Sequence, residues 1–325
     1  MQAVSVVATT SLLRATSSEG MNPRSSGFNC PGQLKSAEPV TCTRRSEREG
    51  EHRRSGSASS SWDRGGAASP RRPRACEASV DGKRGREQAV TAPREHSAQR
   101  VAVVTGGAGA IGSAIVEGLV SSGHRAVAID RAGDVSADLS VEESTRAAAA
   151  EVLRRFGRCD VFVHAAAAFD LATLADLDAA TFRHVLAVNV EAPLWLAQAF
   201  TPGMAERRFG RIIFVTSDTF WDPPVPVLLP YIASKGALTG IMRTLARALG
   251  PDGISVTAVA PGLTDTPAAR TVNTEAQFDE VIDGQALKRR LVPADTAAAV
   301  AFLASDGAAA MTGQILCADG GLILR

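Results

Sequence analysis

Arg100-Val-Ala-Val-Val-Thr105, followed at once by Gly106-Gly-Ala-Gly-Ala-Ile-Gly112, decides how this chain folds. The first six residues form a short apolar run of the kind that makes a strand buried on both faces of a parallel sheet. The turn after it carries Gly-x-Gly-x-x-Gly at Gly107, Gly109 and Gly112. Glycines there permit a tight bend and the close approach of a pyrophosphate, whose charge is favoured at the N-terminus of the following helix. That helix is predicted from Ser113 to Val120, where Ala114, Ile115, Leu119 and Val120 recur at helical spacing. A second strand, Arg125-Ala-Val-Ala-Ile-Asp130, ends in a carboxylate eighteen residues past Gly112. An acid that binds a nucleotide ribose belongs at about that distance.

Downstream, strand and helix keep alternating. Leu153 and Phe156 close a helix, and strands are predicted at Cys159–Val163, Arg211–Thr216, Ile254–Val259 and Gln314–Cys317. Helices are predicted at Ala192–Ala205, Ser234–Leu249 and Ala294–Leu303. Such alternation gives an α/β doubly wound parallel sheet, the Rossmann fold, with ligands beyond the carboxyl ends of the strands.

One further pair stands out. Tyr231 is the only tyrosine in the chain, and Lys235 follows it four places on. Residues i and i+4 share a helix face, so a phenol and an ammonium would be neighbours there. A cation beside a tyrosine favours its phenolate and is expected to draw the phenol below its ordinary value near 10. A tyrosine so tuned can exchange protons with an alcohol or a carbonyl.

Composition sets the boundaries. Hydrophobic residues make up 45% of the chain, enough for a substantial core. Residues 1–100 hold 17 Lys and Arg against 10 Asp and Glu, a balance of +7, and the remainder holds 18 against 24, or −6. Residues 1–97 are rich in Ser, Arg, Gly and Pro without sustained periodicity, and are read as a disordered basic extension. The first eighteen residues lack acids and loosely suggest an organelle transit peptide; a poorly constrained extension is the favoured alternative. Arg pairs at 44–45, 53–54 and 71–72 come without a nucleic-acid-binding motif, and no apolar run reaches membrane-spanning length. Neither nucleic acid nor a membrane is therefore expected as a partner. The five cysteines are odd in number and match no metal or redox spacing, which suits a reducing, cytoplasmic setting and no metal.

With these motifs in order, residues 98–325 resemble a classical short-chain dehydrogenase/reductase, over the whole domain and none of the extension. The resemblance rests on Thr105 through Gly112, Asp138-Leu139, Asn189 within Val-Asn-Val, and Ser217 after Phe-Val-Thr. It also rests on Tyr231 with Lys235, Pro261-Gly262 with Thr266, and the ending Thr312-Gly-Gln then Asp319-Gly-Gly. It implies a catalytic set of Asn189, Ser217, Tyr231 and Lys235. Tyr231 would be the general acid/base, Ser217 would hold the substrate oxygen, and Asn189 would position a water that relays protons through Lys235. Cofactor contacts are implied at Gly106, Gly107, Gly109, Ile111 and Gly112, at Asp130, Asp138, Leu139 and Ala165, and at Tyr231 and Lys235. Pro261, Gly262, Thr264 and Thr266 complete that set. Asp130 favours NAD over NADP, because a carboxylate accepts from a ribose diol and repels a 2′-phosphate. The resemblance also implies a homo-oligomer, a tetramer or a dimer, with the apolar end from Gly321 at an interface.

The chain departs from the family pattern at Ala110, at His164-Ala-Ala-Ala167 and at Thr257. These changes remove a turn glycine and two structural asparagines but no proton-transfer group. The run from Asp218 to Pro230 contains Phe220, Trp221, Val225, Leu228 and Leu229, which are read as an apolar wall for a small apolar or aromatic alcohol or ketone. Leu263 to Leu291 is read as a substrate lid. The alternatives are a 3-oxoacyl thioester reductase using NADPH and a catalytically idle NAD-binding regulator.

Overall fold

The computed structural model describes residues 99–324. The expected extension, residues 1–97, with its disorder and targeting readings, lies outside the described residues.

The strand predicted before the glycine turn is β1 (Val101–Thr105), buried throughout. The strand ending in Asp130 is β2 (Arg125–Asp130), and a two-residue strand that periodicity could not reveal, β3 (Val135–Ser136), follows it. β4 (Val161–His164), β5 (Gly210–Val215), β6 (Ile254–Pro261) and β7 (Ile315–Ala318) complete a seven-stranded sheet. The order is β3-β2-β1-β4-β5-β6-β7, parallel at every pairing. The order reverses between β1 and β4, and a doubly wound sheet opens its binding crevice at such a reversal.

Successive strand residues point to opposite faces, and the core divides accordingly. Val101 and Val103 face one side with Phe162, Ile212 and Phe214, packed under α2 (Glu142–Phe156), α4 (Ala192–Glu206) and α5 (Leu229–Leu249). Ala102 and Val104 face the other with Val161, Val163 and Ile213. They are covered by α1 (Ala110–Ser121) and α8 (Pro293–Ala304). Burial on both faces explains why these strands read as unbroken apolar runs.

Helix α3 (Ala179–Leu186) runs into a π-helical turn, Ala187–Glu191, before α4. α5 starts five residues before the predicted start at Ser234, with Pro230 in its first turn, where a missing N–H costs nothing. The expected lid holds two helices, α6 (Pro267–Val272) and α7 (Glu275–Gly284). Its two ends meet in a bridge between Thr264 and Leu291, with Asp265 N donating to Leu291 O at 2.8 Å. Arg270 grips Asp265 with two bonds of 2.6 Å, and Arg290 donates to Glu275 at 2.6 Å. Among the described residues no helix is long and apolar enough to cross a membrane, and no acid, His or Cys cluster could hold a metal ion.

Candidate active site

The glycine turn closes on itself. Gly106 has φ +70°, and a Cβ there would lie 2.7 Å from the backbone of Ala166, in the loop after β4. A Cβ on Gly112 would come within 2.0 Å of Gly106 O. The first turn of α1 is therefore seated against the bend that leads into it. Gly109 N donates to Gly106 O at 3.0 Å, and Gly109 caps α1 without any side-chain bond to the helix amides. Those amides, Ile111 N among them, remain for an anion.

Asp130 ends β2 beside this turn. Its Oδ2 accepts from Ala108 N at 3.1 Å and its Oδ1 from Arg131 N at 2.7 Å. Asp138 lies farther along the same edge. It accepts from the Ser140 hydroxyl at 2.6 Å and the Ser140 amide at 2.9 Å, and these bonds hold its carboxyl below the usual carboxylate range. Leu139 turns into the core. Ala165 N donates to Thr105 O at 3.3 Å, which ties the β4 loop to the turn. At the end of β6, Gly262 N donates to Ala318 O at 3.2 Å, and Thr264 Oγ1 donates to Gly262 O at 3.0 Å. Thr266 caps α6 by accepting from Ala269 N at 3.0 Å. A cradle without Cβ atoms, an uncapped helix N-terminus and a carboxylate at the next strand end fit a dinucleotide.

The His164 departure has a structural answer. Its Nδ1 shares a 2.8 Å hydrogen bond with Thr105 Oγ1, its register partner on β1, and Ala166 N donates to the same oxygen. The ring thus joins the ends of β1 and β4, the place where the family's asparagine is missing. Burial and the nearby Lys235 push the imidazole down to about 3, so it stays neutral.

Tyr231 and Lys235 meet as expected at one turn's spacing, with Lys235 Nζ 5.2 Å from the centre of the tyrosine ring. Lys235 is 2% exposed and donates to Val215 O at 2.8 Å; burial pushes its ammonium down to about 8. The expectation of a lowered phenol is not met: Tyr231 is pushed up to about 12. Burial is the main cause and the Asp218 carboxylate adds to it, while a hydrogen bond from Ser217 pulls the other way. Lys235 spends its shortest bond on a carbonyl and faces the ring rather than pairing with the phenolic oxygen.

Ser217, just past β5, caps a 3-10 turn at Asp218–Phe220 and shares a 2.9 Å bond with Thr219 Oγ1. Asn189 sits in the π-helical turn, fully buried. Its Oδ1 accepts from Ala168 N at 2.7 Å, and its Nδ2 donates to Ala168 O at 3.0 Å and to Ser234 Oγ at 2.9 Å. Both amide protons are committed, so the side chain fixes the loop after β4 against α5 and has no donor left for a water.

That loop carries a residue the sequence did not flag. Phe169 packs edge-on to Tyr231 with ring centroids 4.7 Å apart, while remaining 44% exposed. Ala172 N donates to Val227 O at 2.9 Å, which draws the loop over the tyrosine. Nothing in the local pattern distinguishes Phe169, since its position depends on this long-range contact. Within the expected apolar wall, Leu228 is buried at a bridge with Ala172, and Phe220 packs near Gly236 of α5 and on Trp221.

Asp218, 5% exposed, was also missed, although an acid directly after a motif serine is a visible signal. Burial and Asp319 push it up to about 6, against an ordinary 3.8. A carboxyl raised on folding binds more protons folded than unfolded between those values, so stability falls as pH rises through about 4 to 6. Asp218→Asn is expected to stabilise the protein above that window by roughly 2 kcal/mol, the cost of about two pK units less the lost hydrogen bonds. The gain should vanish below about pH 4. Melting temperatures of both proteins across that range check it.

Comparison with known proteins identifies the family. The family profile described as enoyl-(acyl carrier protein) reductase matches residues 99–323. The probable galactose dehydrogenase GalD of Rhizobium meliloti is 33% identical over 245 residues, 69% of this chain and 94% of its own. The D-xylose 1-dehydrogenase of Caulobacter vibrioides is 33% identical over 237 residues, 67% of this chain and 94% of its own. The crystal structure of gox2181 superposes with a TM-score of 0.64 at 30% identity, covering 69% of this chain and 95% of that one. The chain belongs to the short-chain dehydrogenase/reductase family. It is an NAD(P)-dependent oxidoreductase acting on CH–OH groups.

Proposed function

We propose that the chain interconverts a secondary alcohol and its ketone with NAD as the preferred nucleotide. In this reading Tyr231 transfers the proton, Ser217 holds the substrate oxygen, and Lys235 supports both from beneath. The observation that carries it is the gathering of three groups at the carboxyl end of β5. These are the Ser217 hydroxyl two residues past the strand, the Tyr231 phenol in the first turn of α5, and the buried Lys235 ammonium, which lies 5.2 Å from the tyrosine ring centre and donates to Val215 O at 2.8 Å. When bound, the nicotinamide supplies the hydride acceptor or donor. A phenol at about 12 is a proton donor throughout the neutral range, which suits protonation of a carbonyl. Alcohol oxidation instead needs the phenolate and is expected to quicken as pH rises. Asn189 acts by fixing Ala168, and through it the loop that lays Phe169 on the tyrosine.

Phe169 beside Tyr231, with Phe220 and Trp221 following Ser217, supports an apolar or aromatic substrate. A second reading, a sugar or polyol, is supported by the relatives named for galactose and xylose. Purified protein with NAD or NADP, offered cyclohexanol, benzylic secondary alcohols, D-galactose and D-xylose, tests both by formation of reduced nicotinamide. No turnover with any of them would count against the reading.

Asp130 is the group on which the nucleotide preference rests. Asp130→Ser should lower the kcat/KM ratio of NAD over NADP by roughly 10–100-fold, the worth of a hydrogen bond to a charged group. A wild type that already prefers NADP would refute the assignment.

A further inference from the structure

The loop that leaves β4 offers four alanines, Ala165 to Ala168, before its first large side chain, Phe169. That ring stands edge-on to Tyr231, with centroids 4.7 Å apart and planes inclined at 69°, and the residue stays 44% exposed. We propose that Phe169 is a specificity-determining residue, whose solvent-facing side receives a flat apolar ring carried on one arm of the secondary alcohol that meets Tyr231. This deepens, and rests on, the reading of Tyr231 as the proton-transfer group.

Loops are the mobile part of a fold, yet this one is tied on both sides of the ring. Before it, Ala168 N donates to Asn189 Oδ1 at 2.7 Å, and Ala168 O accepts from Asn189 Nδ2 at 3.0 Å. The same Nδ2 donates to Ser234 Oγ at 2.9 Å, and that hydroxyl donates to Tyr231 O at 2.6 Å. One chain of hydrogen bonds therefore joins the loop of Phe169 to the helix turn of Tyr231. After the ring, Asp170 Oδ2 and His184 Nδ1 lie 2.7 Å apart, and Ala172 N donates to Val227 O at 2.9 Å. The two rings are held as a unit, although one of them is largely open to water.

Packing on Tyr231 accounts only for the covered part of Phe169. The remainder is apolar surface left in water beside the group that meets the substrate, and Tyr231 is itself only partly covered. A substrate whose oxygen reaches the phenol brings one of its arms against that surface. An aromatic arm suits it, because ring pairs are stabilised by edge-on or offset contact beyond the area they bury. The hydroxyls of a sugar arm would find neither donor nor acceptor on Phe169. The charge next to it on the loop, Asp170, is engaged with His184. The following side chain is apolar again, Leu171, 38% exposed.

The test offers the full chain, with NAD, two alcohols that share a methyl carbinol and differ in the other arm: 1-phenylethanol and 2-butanol. In the wild type kcat/KM should favour 1-phenylethanol. Phe169→Ala should lower that preference by roughly 2–10-fold, the scale of one aromatic contact, with the loss in KM for 1-phenylethanol rather than in kcat. Phe169→Tyr keeps the ring and should restore the preference, and NAD affinity by calorimetric titration should be the same in every variant. Should Phe169→Ala not fold, Phe169→Leu keeps apolar bulk without the ring and carries the same expectation. Equal fractional loss on both alcohols, no loss, or no rescue in Phe169→Tyr would show a packing role and overturn the proposal. A wild type that prefers 2-butanol, or that turns over D-galactose or D-xylose but not 1-phenylethanol, would overturn this inference and leave the proton-transfer reading standing. Full turnover in Tyr231→Phe, or none by the wild type on any of these substrates, would overturn both.

Discussion

Tyr231→Phe is expected to reduce turnover by roughly 10²–10⁴-fold, the usual contribution of a positioned general acid/base, while melting temperature and NAD affinity change little. The substitution removes one oxygen and keeps the ring. The edge-on packing of Phe169 on that ring, with centroids 4.7 Å apart, does not involve the hydroxyl. Lys235 keeps its bond to Val215 O, so the floor of the site should hold its position. The loss should therefore fall on kcat, because in the proposed reaction the phenol exchanges its proton with the reacting oxygen. Steady-state kinetics on whichever panel alcohol proves active, with melting curves of both proteins, decides the matter. Near-normal turnover would put the idle-regulator alternative ahead.

Gly112→Ala is expected to do the opposite, damaging fold and nucleotide binding together. Its methyl would lie 2.0 Å from Gly106 O and 2.6 Å from Gly106 C, both backbone atoms of a turn already held at φ +70°. No flexible side chain can yield, so either the turn or the first turn of α1 must move. Overpacking against backbone costs about 3 kcal/mol, or roughly 6–12 °C in a domain of this size. The same displacement would misaim the helix amides that receive a pyrophosphate. Gly109→Ala is the matched control. Its φ of −77° suits any residue, and its Cβ would meet only Gly106 O, at 3.3 Å. It should melt close to the wild type, with any loss confined to nucleotide affinity. Differential scanning calorimetry and NAD titration separate the two variants.

The sequence alone settled whatever depends on local pattern. β2 has the predicted ends, and α4 and α8 differ from prediction by a residue at an end or at each end, because buried strands and helices announce themselves through apolar runs and 3.6-residue repeats. The glycine turn, the placement of Asp130 and the facing of Tyr231 and Lys235 were legible for the same reason, since each is fixed within a few residues of chain. Tertiary structure decided the rest. β3 is two residues long and exists only because β2 lies beside it. The π-helical turn that buries Asn189 and the bridge that brings Phe169 to the tyrosine are held by contacts between residues far apart in sequence. The charge state of the site belongs to the same class. Spacing gave the tyrosine a cation as neighbour, but burial, together with a carboxylate brought in from the turn after β5, raised the phenol instead of lowering it. Desolvation and through-space charge are properties of the folded surroundings, and one-dimensional spacing carries no record of them.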